Sequence, residues 1–556
     1  MTRQIVVEAV RGVPMRVFAE RPRSLVEVAD IVRVRTAREF IVCGERRVTD
    51  HELLGDAARV AANLRARGLE RGERVAILAA NSIEWATAFW GVVLAGGVVA
   101  ALNGWWKGGE ILYALGHCAP RFLIADAPRL ERLITDATPD QPAALDAVFV
   151  VDGTESVSAP ALPSGAKVES FTQLLDDAAG FSPESSAEDD PVAIFYTSGT
   201  TGRPKGAIAT HRSWIAAVQC LRHLAEQAVA GGLASGGSDD REPEATLATL
   251  PLFHVSGCQS TLVSNLVAGT RTILLDGRFD PERVLALIEA EGITRWSAVP
   301  TMVSRVCRHP DRDRFDLGSM RTVSYGGSPA PPELPGLVRA TFPNVRSVAN
   351  AYGLTESGTI IAVNSGADFD RRPDSVGRPF PLIEVRIGDD APPGAVGEIQ
   401  LRGPMIMPGY WDDPGASAEI LSRDGWLSTG DLGHLDADGY LYVTDRAKDM
   451  IIRGGENVYP AEIEQRLGEH PDVIEAAVVG LPDPDLGESV KAIVRLVPGS
   501  TVSDEELSAF VGDALAAFKV PVVWARTAEP LPRNATGKLL KNVLRGVGDG
   551  AFDEVL

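Results

Sequence analysis

Apolar residues along the chain recur at two spacings, which predicts helices that alternate with strands. Residues 56–67 place apolar side chains three or four positions apart, the pattern of a helix with one buried face, and Gly68 would end that helix. Short apolar runs at 74–78, 122–124 and 147–151 are typical of buried strands. This alternation predicts an α/β chain with largely parallel sheets.

The longest apolar stretch, residues 88–102, is interrupted by three glycines. A helix that spans a membrane needs about 20 apolar residues, so this stretch predicts a helix, a tight turn and a buried strand instead. Residues 1–4 lack the apolar segment of a secretory signal. We therefore expect a cytoplasmic protein without an integral membrane segment.

Towards the C-terminus the pattern changes to a compact unit of short strands and helices, and we place a domain boundary at Lys448. The domains are then residues 1–447 and 448–556. The expected fold is α/β, with a large N-terminal domain of layered, mostly parallel sheets and helices and a small mobile α+β C-terminal domain. Two segments rich in small and polar residues, 153–190 and 229–245, predict a surface excursion and a mobile loop.

Composition narrows the class of protein. Of the 556 residues, 45% are hydrophobic and 23% charged, which is typical of a globular enzyme with a large core. The formal charge of −21 disfavours nucleic acid and anionic membrane surfaces as partners, because both are negative. The five cysteines are scattered and include no C-x-x-C pair, so we expect reduced thiols and no metal site.

Residues 197–206 read Thr-Ser-Gly-Thr-Thr-Gly-Arg-Pro-Lys-Gly and follow the apolar run 192–196, which predicts a strand that ends in a glycine-rich loop. Main-chain N–H groups of such a loop can surround an anion, hydroxyls add donors for phosphate oxygens, and Lys205 adds positive charge. The string differs from G-x-x-x-x-G-K-[ST], because Pro204 stands where the second glycine belongs and Gly206 follows the lysine. The chain has no G-x-G-x-x-G string, so a Rossmann dinucleotide site lacks sequence support. The alternative is a surface turn rich in serine and glycine.

Four further strings follow in order: Ala-Tyr-Gly-Leu-Thr-Glu at 351–356, Ser-Thr-Gly-Asp at 428–431, Tyr-Val-Thr-Asp-Arg-Ala-Lys-Asp at 442–449 and Pro-Arg-Asn-Ala-Thr-Gly-Lys at 532–538. With the loop, they resemble the motifs of the adenylate-forming superfamily: acyl- and aryl-CoA synthetases, adenylation domains of peptide synthetases, and luciferases. The chain looks most similar to AMP-forming fatty- or aryl-acid CoA ligases, over about residues 50–545. The resemblance implies ATP, Mg²⁺ and coenzyme A as cofactors and co-substrates.

The resemblance also implies a nucleotide site. Tyr352 would stack on adenine, and Asp431 and Arg446 would hold the ribose hydroxyls. Glu356 and Thr200 would hold Mg²⁺, since a hard cation prefers oxygen ligands. The residues expected to contact ATP or AMP are Thr197, Ser198, Gly199, Thr200, Thr201, Gly202, Lys205, Gly326, Gly327, Asn350, Ala351, Tyr352, Gly353, Thr355, Asp431, Val443, Arg446 and Lys538.

The resemblance implies that Lys538 is the main catalytic residue. In the family this lysine reaches the α-phosphate and the substrate carboxylate during adenylation. A long cationic side chain is suited to stabilising the charge of a phosphoryl transition state. Thr200, His254 and Glu356 complete the expected catalytic set.

The second half-reaction in the family follows a swing of the small domain about a hinge, here expected at Lys448. The swing would bring a glycine loop to the site, where Gly455 leaves room for a pantetheine arm. Gly454 and Lys519 are further candidates for contact with CoA.

An acid pocket is expected between residues 251–257, 296–301 and 324–328. These segments are mostly apolar and offer no evident aspartate or lysine to pair with an amino acid, so we expect a fatty, aryl or alicyclic acid. His254 resembles the family's gating residue near the substrate carboxylate. The residues expected to line the pocket are His254, Val255, Val299, Tyr325, Gly326 and Gly353.

Two features depart from the family pattern. Residues 103–107 read Asn-Gly-Trp-Trp-Lys where Asn-Pro is common, and the bulky Tyr325 precedes Gly326 and Gly327. We expect both to reshape the acyl pocket without touching the adenylation machinery.

The leading interpretation is an AMP-forming acid–CoA ligase: acid and ATP give acyl-adenylate and pyrophosphate, and CoA then gives thioester and AMP. Enzymes with other acceptors carry similar motifs and stay open as alternatives: amide ligases, carrier-protein ligases, ATP-dependent diazotases that activate nitrite, and luciferases. A non-catalytic binding module is disfavoured because every polar catalytic position is present. We expect a monomer or homodimer whose partners are a small carboxylic acid, ATP and CoA.

Overall fold

The structure, a computed structural model, describes residues 3–136, 145–151, 153, 166–177, 181–183, 186–197, 204–230, 244–328, 330–388, 391–446, 448–453, 456–484, 486–533 and 539–546. Within these ranges, no helix has both the length and the apolar character needed to cross a bilayer. The strands are β1 (Ile5–Val10), β2 (Val13–Phe18), β3 (Glu39–Cys43), β4 (Arg46–Thr49), β5 (Arg74–Leu78), β6 (Val98–Ala101), β7 (Phe122–Ala125), β8 (Ala147–Val150), β9 (Lys167–Ser170), β10 (Pro191–Thr197), β11 (Lys205–Thr210), β12 (Ala245–Ala248), β13 (Arg271–Leu274), β14 (Arg295–Ala298), β15 (Thr322–Gly326), β16 (Ser347–Leu354), β17 (Thr359–Ser365), β18 (Arg378–Pro379), β19 (Glu384–Ile387), β20 (Gly397–Arg402), β21 (Leu427–Leu435), β22 (Leu441–Arg446), β23 (Ile451–Arg453), β24 (Glu456–Val458), β25 (Val473–Asp483), β26 (Gly487–Leu496) and β27 (Val523–Thr527). The α-helices are α1 (Leu25–Arg33), α2 (Asp50–Ala66), α3 (Ile83–Leu94), α4 (Gly108–Cys118), α5 (Ala127–Asp136), α6 (His211–Ala230), α7 (Val255–Cys258), α8 (Asn265–Ala268), α9 (Pro281–Glu291), α10 (Pro300–Cys307), α11 (Leu334–Thr341), α12 (Gly366–Arg371), α13 (Pro414–Ile420), α14 (Pro460–Gly468), α15 (Asp504–Ala514) and α16 (Lys541–Arg545).

A reciprocal cap fixes the start of α2. Thr49 Oγ1 accepts a hydrogen bond from the Glu52 N–H at 3.1 Å, and Glu52 Oε2 accepts one from the Thr49 N–H at 2.8 Å. The helix therefore begins at Asp50, earlier than the apolar spacing alone predicted. Gly68 follows its end with φ of +91°, a left-handed conformation that glycine adopts readily, so the predicted stop is confirmed.

Seven strands form the first large sheet, in the order β11-β10-β6-β5-β7-β8-β9. Neighbours from β10 to β9 run parallel, and β11 returns antiparallel beside β10. The predicted strands at 74–78, 122–124, 147–151 and 192–196 are confirmed as β5, β7, β8 and β10. The stretch 88–102 is divided between α3, a turn and β6, as predicted.

The predicted surface excursion between 153 and 190 is corrected in part. Lys167–Ser170 forms β9, which pairs in parallel with β8 at the edge of the first sheet. The 3₁₀ helix Phe171–Leu174 follows and buries its first and last side chains in the core. The strand was not recognised because its sequence, Lys-Val-Glu-Ser, is that of a polar edge. Most of the predicted loop 229–245 lies outside the described residues.

Nine strands form the second large sheet, in the order β18-β17-β16-β15-β14-β12-β13-β3-β4. The six from β16 to β3 are parallel. At one end β17 pairs antiparallel with β16 and the edge strand β18 pairs antiparallel with β17, and at the other end the edge strand β4 pairs antiparallel with β3. The chain starts this sheet at β3, crosses to build the first sheet, and returns at β12. Parallel strands end at a common edge, and ligands of α/β proteins bind beyond such carboxyl ends.

The main hydrophobic core lies between the two large sheets. It contains side chains of β5 and β6 from the first sheet, of β3 and β13 from the second, and of α2 and α3 between them. A second core covers the other face of the nine-stranded sheet under α9, α10 and α11. Because one core includes residues of both sheets, the edges of the two sheets are held in a fixed relation.

Three smaller sheets complete the described part of the fold, and one of them is the antiparallel pair β1 and β2. The antiparallel sheet β19-β20-β21-β22 shares a core with α6 and β17. The last sheet has the order β24-β23-β26-β25, with β27 beside β26, and packs against α14 and α15. This architecture confirms the predicted fold class, a large part with parallel sheets followed by a smaller part. The boundary at Lys448 and the mobility of the smaller part stay predictions.

We expect Gly91→Ala to destabilise the fold, because a Cβ there would lie 2.4 Å from Val60 Cγ1 and 3.2 Å from the Ala57 carbonyl oxygen, where α3 meets α2. Overpacking of this kind costs about 1–3 kcal/mol. Gly116→Ala is the matched control, since a Cβ at this other helical glycine meets nothing within 4 Å. Chemical unfolding should show lower stability for the first variant and equal or higher stability, by up to about 1 kcal/mol, for the second. Unchanged stability of Gly91→Ala would contradict this description of the contact.

Candidate active site

The carboxyl ends of β15 and β16 carry several predicted nucleotide residues. Gly326 lies directly opposite Ala351 across the two strands. A Cβ at Gly326 would lie 2.4 Å from the Ala351 carbonyl oxygen, so the close approach requires glycine. The same applies to Gly353, where a Cβ would lie 2.1 Å from a backbone oxygen of β17. The remaining predicted residues of this group lie on the same strands or in the turns after them, or on β22: Gly327, Asn350, Thr355 and Val443.

Asp431 is the buried centre of the predicted ribose site. Its Oδ2 accepts a hydrogen bond from the Tyr352 hydroxyl at 2.7 Å, and its Oδ1 lies 2.8 Å from Arg446 Nε. Asp431 and Arg446 are direct neighbours across β21 and β22. Burial, reinforced by the Asp431 carboxylate, raises the pKa of Tyr352 well above its ordinary value, so the phenol stays protonated and donates. Three predicted residues are thus in contact.

The β10–β11 hairpin holds the two ends of the predicted phosphate loop. Thr197, the last residue of β10, lies opposite Lys205, the first of β11. Gly206 allows close packing, since a Cβ there would lie 2.7 Å from Ile194 Cγ2. The predictions for the loop residues outside the described part of the chain stay predictions: Ser198, Gly199, Thr200, Thr201 and Gly202.

Tyr410, which the sequence patterns did not single out, connects Lys205 to Glu356. Its hydroxyl donates to Glu356 Oε1 at 2.8 Å, and the centre of its ring lies 5.3 Å from the Lys205 ammonium. The neighbouring Trp411 N–H donates to the Gly206 carbonyl at 2.7 Å, which fastens this segment to the hairpin. Burial and the Glu356 carboxylate raise the pKa of Tyr410, so its hydroxyl remains a donor.

The carboxylate of Glu356 is suited to act as a ligand of a magnesium ion. One oxygen is engaged by Tyr410, and within the described residues the other accepts no hydrogen bond. Magnesium is commonly bound by one or two carboxylates together with water and phosphate oxygens of the substrate. The described ranges contain no group of three or more His, Cys, Asp or Glu residues that could hold a metal ion. Glu356 is therefore suited to an ion held largely by ATP and water.

His254 begins a helical segment on the acid side. It precedes α7, which continues through the π-helical residues Gln259–Ser264 into α8. Its ring centre lies 4.8 Å from that of Phe253, and its buried Nε2 has no hydrogen-bond partner among the described residues. Burial lowers the pKa of His254 to about 4, so the ring is neutral near pH 7. Buried polar atoms in proteins are ordinarily hydrogen-bonded, so this nitrogen is suited to accept or donate a hydrogen bond when a substrate binds.

Two aromatic residues of the segment 103–107 contact this region, and their effect on the acyl pocket stays a prediction. Trp105 lies edge-on to Phe253 with 5.4 Å between ring centres, and 47% of its surface is exposed. Trp106 packs in the same way on Tyr196, at 5.5 Å. The segment is held by arginines of α5, since Arg129 Nε donates to the Gly104 carbonyl at 2.9 Å.

Three residues predicted to line the acid pocket are buried, and two of them, Val255 and Tyr325, belong to hydrophobic cores. Val255, Val299 and Tyr325 are 6%, 5% and 3% exposed. The Tyr325 ring lies on the helix-covered face of the nine-stranded sheet, 6.4 Å from the Phe369 ring. The expectation that the Tyr325 side chain shapes the acid pocket is therefore corrected. Only the backbone of Tyr325 remains as a candidate for contact with the acid.

The C-terminal part carries the predicted hinge and CoA residues. The Lys448 carbonyl accepts a hydrogen bond from Arg545 Nη2 at 3.3 Å, on the last described helix. Lys519 Nζ lies 2.6 Å from Glu462 Oε2, so its charge is paired within this part. The roles of three residues outside the described ranges stay predictions: Gly454, Gly455 and Lys538.

Comparison with known proteins agrees with this geometry. A family model described as AMP-binding enzyme matches residues 29–411, and one described as AMP-binding enzyme C-terminal domain matches residues 462–538. The chain belongs to the AMP-binding enzyme family. The predicted resemblance to the adenylate-forming superfamily is thereby confirmed.

Two relatives in this family are CoA ligases. The chain is 36% identical to a feruloyl-CoA synthase of Amycolatopsis sp over 509 residues, which cover 90% of this chain and 94% of that protein. It is 34% identical over 525 residues to the 3-[(3aS,4S,7aS)-7a-methyl-1,5-dioxo-octahydro-1H-inden-4-yl]propanoyl:CoA ligase of Rhodococcus jostii strain RHA1, with 92% and 97% covered. The solved structure of an amide bond synthetase from Marinactinospora thermotolerans is also similar, with a TM-score of 0.78, 30% identity, and 94% and 99% covered. This family member is thus an enzyme of the AMP-forming acyl-CoA synthetase class, whose members use ATP, Mg²⁺ and CoA.

We expect Tyr410→Phe to weaken the binding of magnesium and ATP together by about 10-fold or more, since a hydrogen bond to a charged group contributes about 1.5–3 kcal/mol. The substitution keeps the ring beneath Lys205 and removes only the donor to Glu356. Tyr440→Phe is the matched control, because that ring also lies under a cation, with Arg372 at 4.2 Å. Pyrophosphate exchange titrated with Mg²⁺ checks both variants. Equal magnesium dependence in the two would show that the contact with Glu356 is not used.

His254 also predicts a dependence of stability on pH. Because its folded pKa of about 4 lies below the ordinary 6.5, the unfolded chain binds the proton more readily, and the stability contributed by the neutral ring is lost as the pH falls from about 6.5 to about 4. We expect His254→Phe to lose less stability than the parent protein over that interval, by at most about 3 kcal/mol. His211, whose pKa burial likewise lowers to about 4, titrates in both proteins and cancels from the difference. The difference in the free energy of unfolding between the two proteins is measured by denaturant unfolding at several pH values. If that difference does not change with pH, the burial of the His254 ring is contradicted.

Proposed function

We propose that this protein is an AMP-forming ligase that activates a hydrophobic carboxylic acid with ATP and transfers the acyl group to CoA. The observation that carries the proposal is a set of three groups suited to different parts of ATP: the buried acceptor Asp431, the ammonium of Lys205, and the carboxylate of Glu356, one oxygen of which accepts no hydrogen bond from the described residues. Tyr410 contacts two of these groups, Glu356 through a hydrogen bond and Lys205 through its ring, and Tyr352 donates a hydrogen bond to the third, Asp431. A preorganised set of charges is what transfer at a phosphorus centre requires of a protein.

In the adenylation step, a carboxylate oxygen of the acid attacks the α-phosphorus, and pyrophosphate leaves as the new P–O bond forms. We assign Asp431 and Arg446 to the ribose hydroxyls, and Lys205 to phosphate oxygens. Glu356 would hold Mg²⁺, which neutralises phosphate charge when bound. We assign to Lys538 the stabilisation of charge that develops at the α-phosphate.

For the second step we propose that residues 448–556 form a mobile domain that turns about Lys448. The two family models end at 411 and begin at 462, on either side of this position, which supports the assignment. Gly454, Gly455 and Lys519 would then contact CoA, whose thiol attacks the adenylate carbonyl and releases AMP. A small residue at 455 would leave space for the pantetheine arm.

The acid is proposed to be aryl, alicyclic or fatty. The names of the two CoA ligases above include an aryl acid and an alicyclic acid. A neutral His254 beside Phe253 and Trp105 offers an aromatic, largely uncharged surface for the hydrophobic part of such an acid. The likeness to an amide bond synthetase supports a second candidate, in which an amine replaces CoA as the acceptor.

We further propose a cytoplasmic enzyme that acts as a monomer or homodimer. The five cysteines are free thiols, four of them buried, which agrees with a reducing compartment. The formal charge of −21 supports small-molecule partners over nucleic acid.

The proposal is tested by measuring pyrophosphate and AMP release with a panel of aryl, alicyclic and fatty acids, with and without CoA. We expect CoA to accelerate AMP release. Lys538→Ala should reduce pyrophosphate release by about 10²–10³-fold, the scale of losing one preorganised charge, while thioester formation from supplied acyl-adenylate persists. Faster AMP release with amines than with CoA would favour the amide ligase. Equal loss of both half-reactions in Lys538→Ala would contradict the two-orientation mechanism.

A further inference from the structure

Two serines form an exposed hydroxyl pair within the nine-stranded sheet. Ser297 on β14 and Ser324 on β15 are register partners, and their hydroxyls are hydrogen-bonded to each other. β14 lies between β12 and β15 in the parallel part of the sheet, where both faces are ordinarily covered. Ser297 is nevertheless exposed and Ser324 half-buried. This face of the sheet is therefore open at the pair.

The cover of this face ends next to the pair. In the same register row, Ala248 on β12 is buried in the core between the two large sheets, whereas Ser297 is exposed and Ser324 half-buried. The opposite face is closed, since Trp296 and Tyr325 are packed in the core under α9, α10 and α11. The residue after the pair in the row, on β16, is the small Ala349. A ligand could thus lie against the serines on one face only.

The hydroxyl pair has unused hydrogen-bonding capacity. Each serine offers one donor and two acceptor lone pairs, and the mutual bond uses one donor and one lone pair. Among the described residues, neither Ser297 nor Ser324 forms another side-chain hydrogen bond. One O–H donor and several lone pairs therefore remain, so the pair can serve a carbonyl oxygen as well as a hydroxyl group.

The pair lies at a defined depth below the nucleotide residues. Side chains alternate along a strand, so Ser324 shares its face of β15 with Gly326, two residues nearer the carboxyl end. A rise of about 3.3 Å per residue places the pair about 7 Å from the Gly326 position. That position pairs with Ala351 beside the proposed adenylation site. An acid whose carboxylate reaches this edge would extend over Gly326 towards the hydroxyls.

We propose that Ser297 and Ser324 bind an oxygen substituent, a carbonyl or a hydroxyl, on the far side of a ring carried by the acid. The inference rests on the proposed acid-activating function and narrows its substrate class. The sequence predicted a mostly apolar pocket for a hydrophobic acid, and the inference gives that pocket a polar end. The specificity would arise because a hydrocarbon substituent leaves the remaining donor unpaired, whereas an oxygen satisfies it.

The test compares acids of matched size on the full-length protein: 4-hydroxybenzoate with 4-methylbenzoate, and 3-(4-hydroxyphenyl)propanoate with 3-(4-methylphenyl)propanoate. In at least one pair we expect the hydroxy acid to have a kcat/KM for pyrophosphate release about 10-fold higher or more. Ser324→Ala and Ser297→Ala should each reduce that ratio to about 1, on the same principle. Ser365→Ala is the matched control, an exposed serine in the same register row on β17, and should leave the ratio unchanged.

Calorimetric binding of the same acids in the presence of AMP measures the preference without requiring turnover. AMP affinity should be equal in all variants, which verifies that the nucleotide site is intact. A preference that is absent, or that survives in both serine variants, overturns the inference while leaving acid activation in place. Binding with the expected preference but no pyrophosphate release from any acid would instead defeat the proposed function and keep the subsite.

Discussion

A buried carboxylate, Asp431, joins the two sheets on which the nucleotide residues lie. One of its oxygens is engaged by Tyr352 from the nine-stranded sheet and the other by Arg446 from the four-stranded sheet. A buried charge is costly unless it is paired and hydrogen-bonded, so the two sheets can adopt only an arrangement that satisfies this group. The edge formed by β15 and β16 is thereby fixed against β21 and β22. The site depends on this junction as much as on any group that would touch ATP.

Much of the fold could be predicted because it is encoded locally. The strand at 74–78 was recognised to the residue, since a buried parallel strand is a continuous apolar run, and Gly68 marked a helix end. The strand at 167–170 was missed because its hydrogen bonds come from β8 and leave no apolar pattern. The candidate site likewise has a part that the sequence predicted and a part that it did not. Motif residues followed from the sequence, whereas the contact of Tyr410 with Glu356 joins positions 54 residues apart. A tyrosine after Pro-Gly was visible, but nothing local indicated its partner.

In the region proposed to bind the acid, strand register determines which side chains face the ligand. The run Thr-Val-Ser-Tyr-Gly at 322–326 contains both a bulky ring and a hydroxyl, and the sequence analysis selected the ring. In a strand, successive side chains point to opposite faces, and here Tyr325 packs into a core while Ser324 lies on the open face. The partner serine, Ser297, is brought beside it only by strand pairing. The character of the pocket is therefore a property of two strands together.

The bond between Arg545 and the Lys448 carbonyl joins positions 97 residues apart and holds the last described helix against the start of the C-terminal part. Asp449 strengthens the closure, with its carboxylate 3.7 Å from the same guanidinium. A C-terminal part closed in this way at its point of attachment would turn as one body about the hinge proposed at Lys448. In the mechanism proposed above, one rotation would both present the groups needed for one step and withdraw those needed for the other. The two chemical steps would then be separated in time without a separate signal.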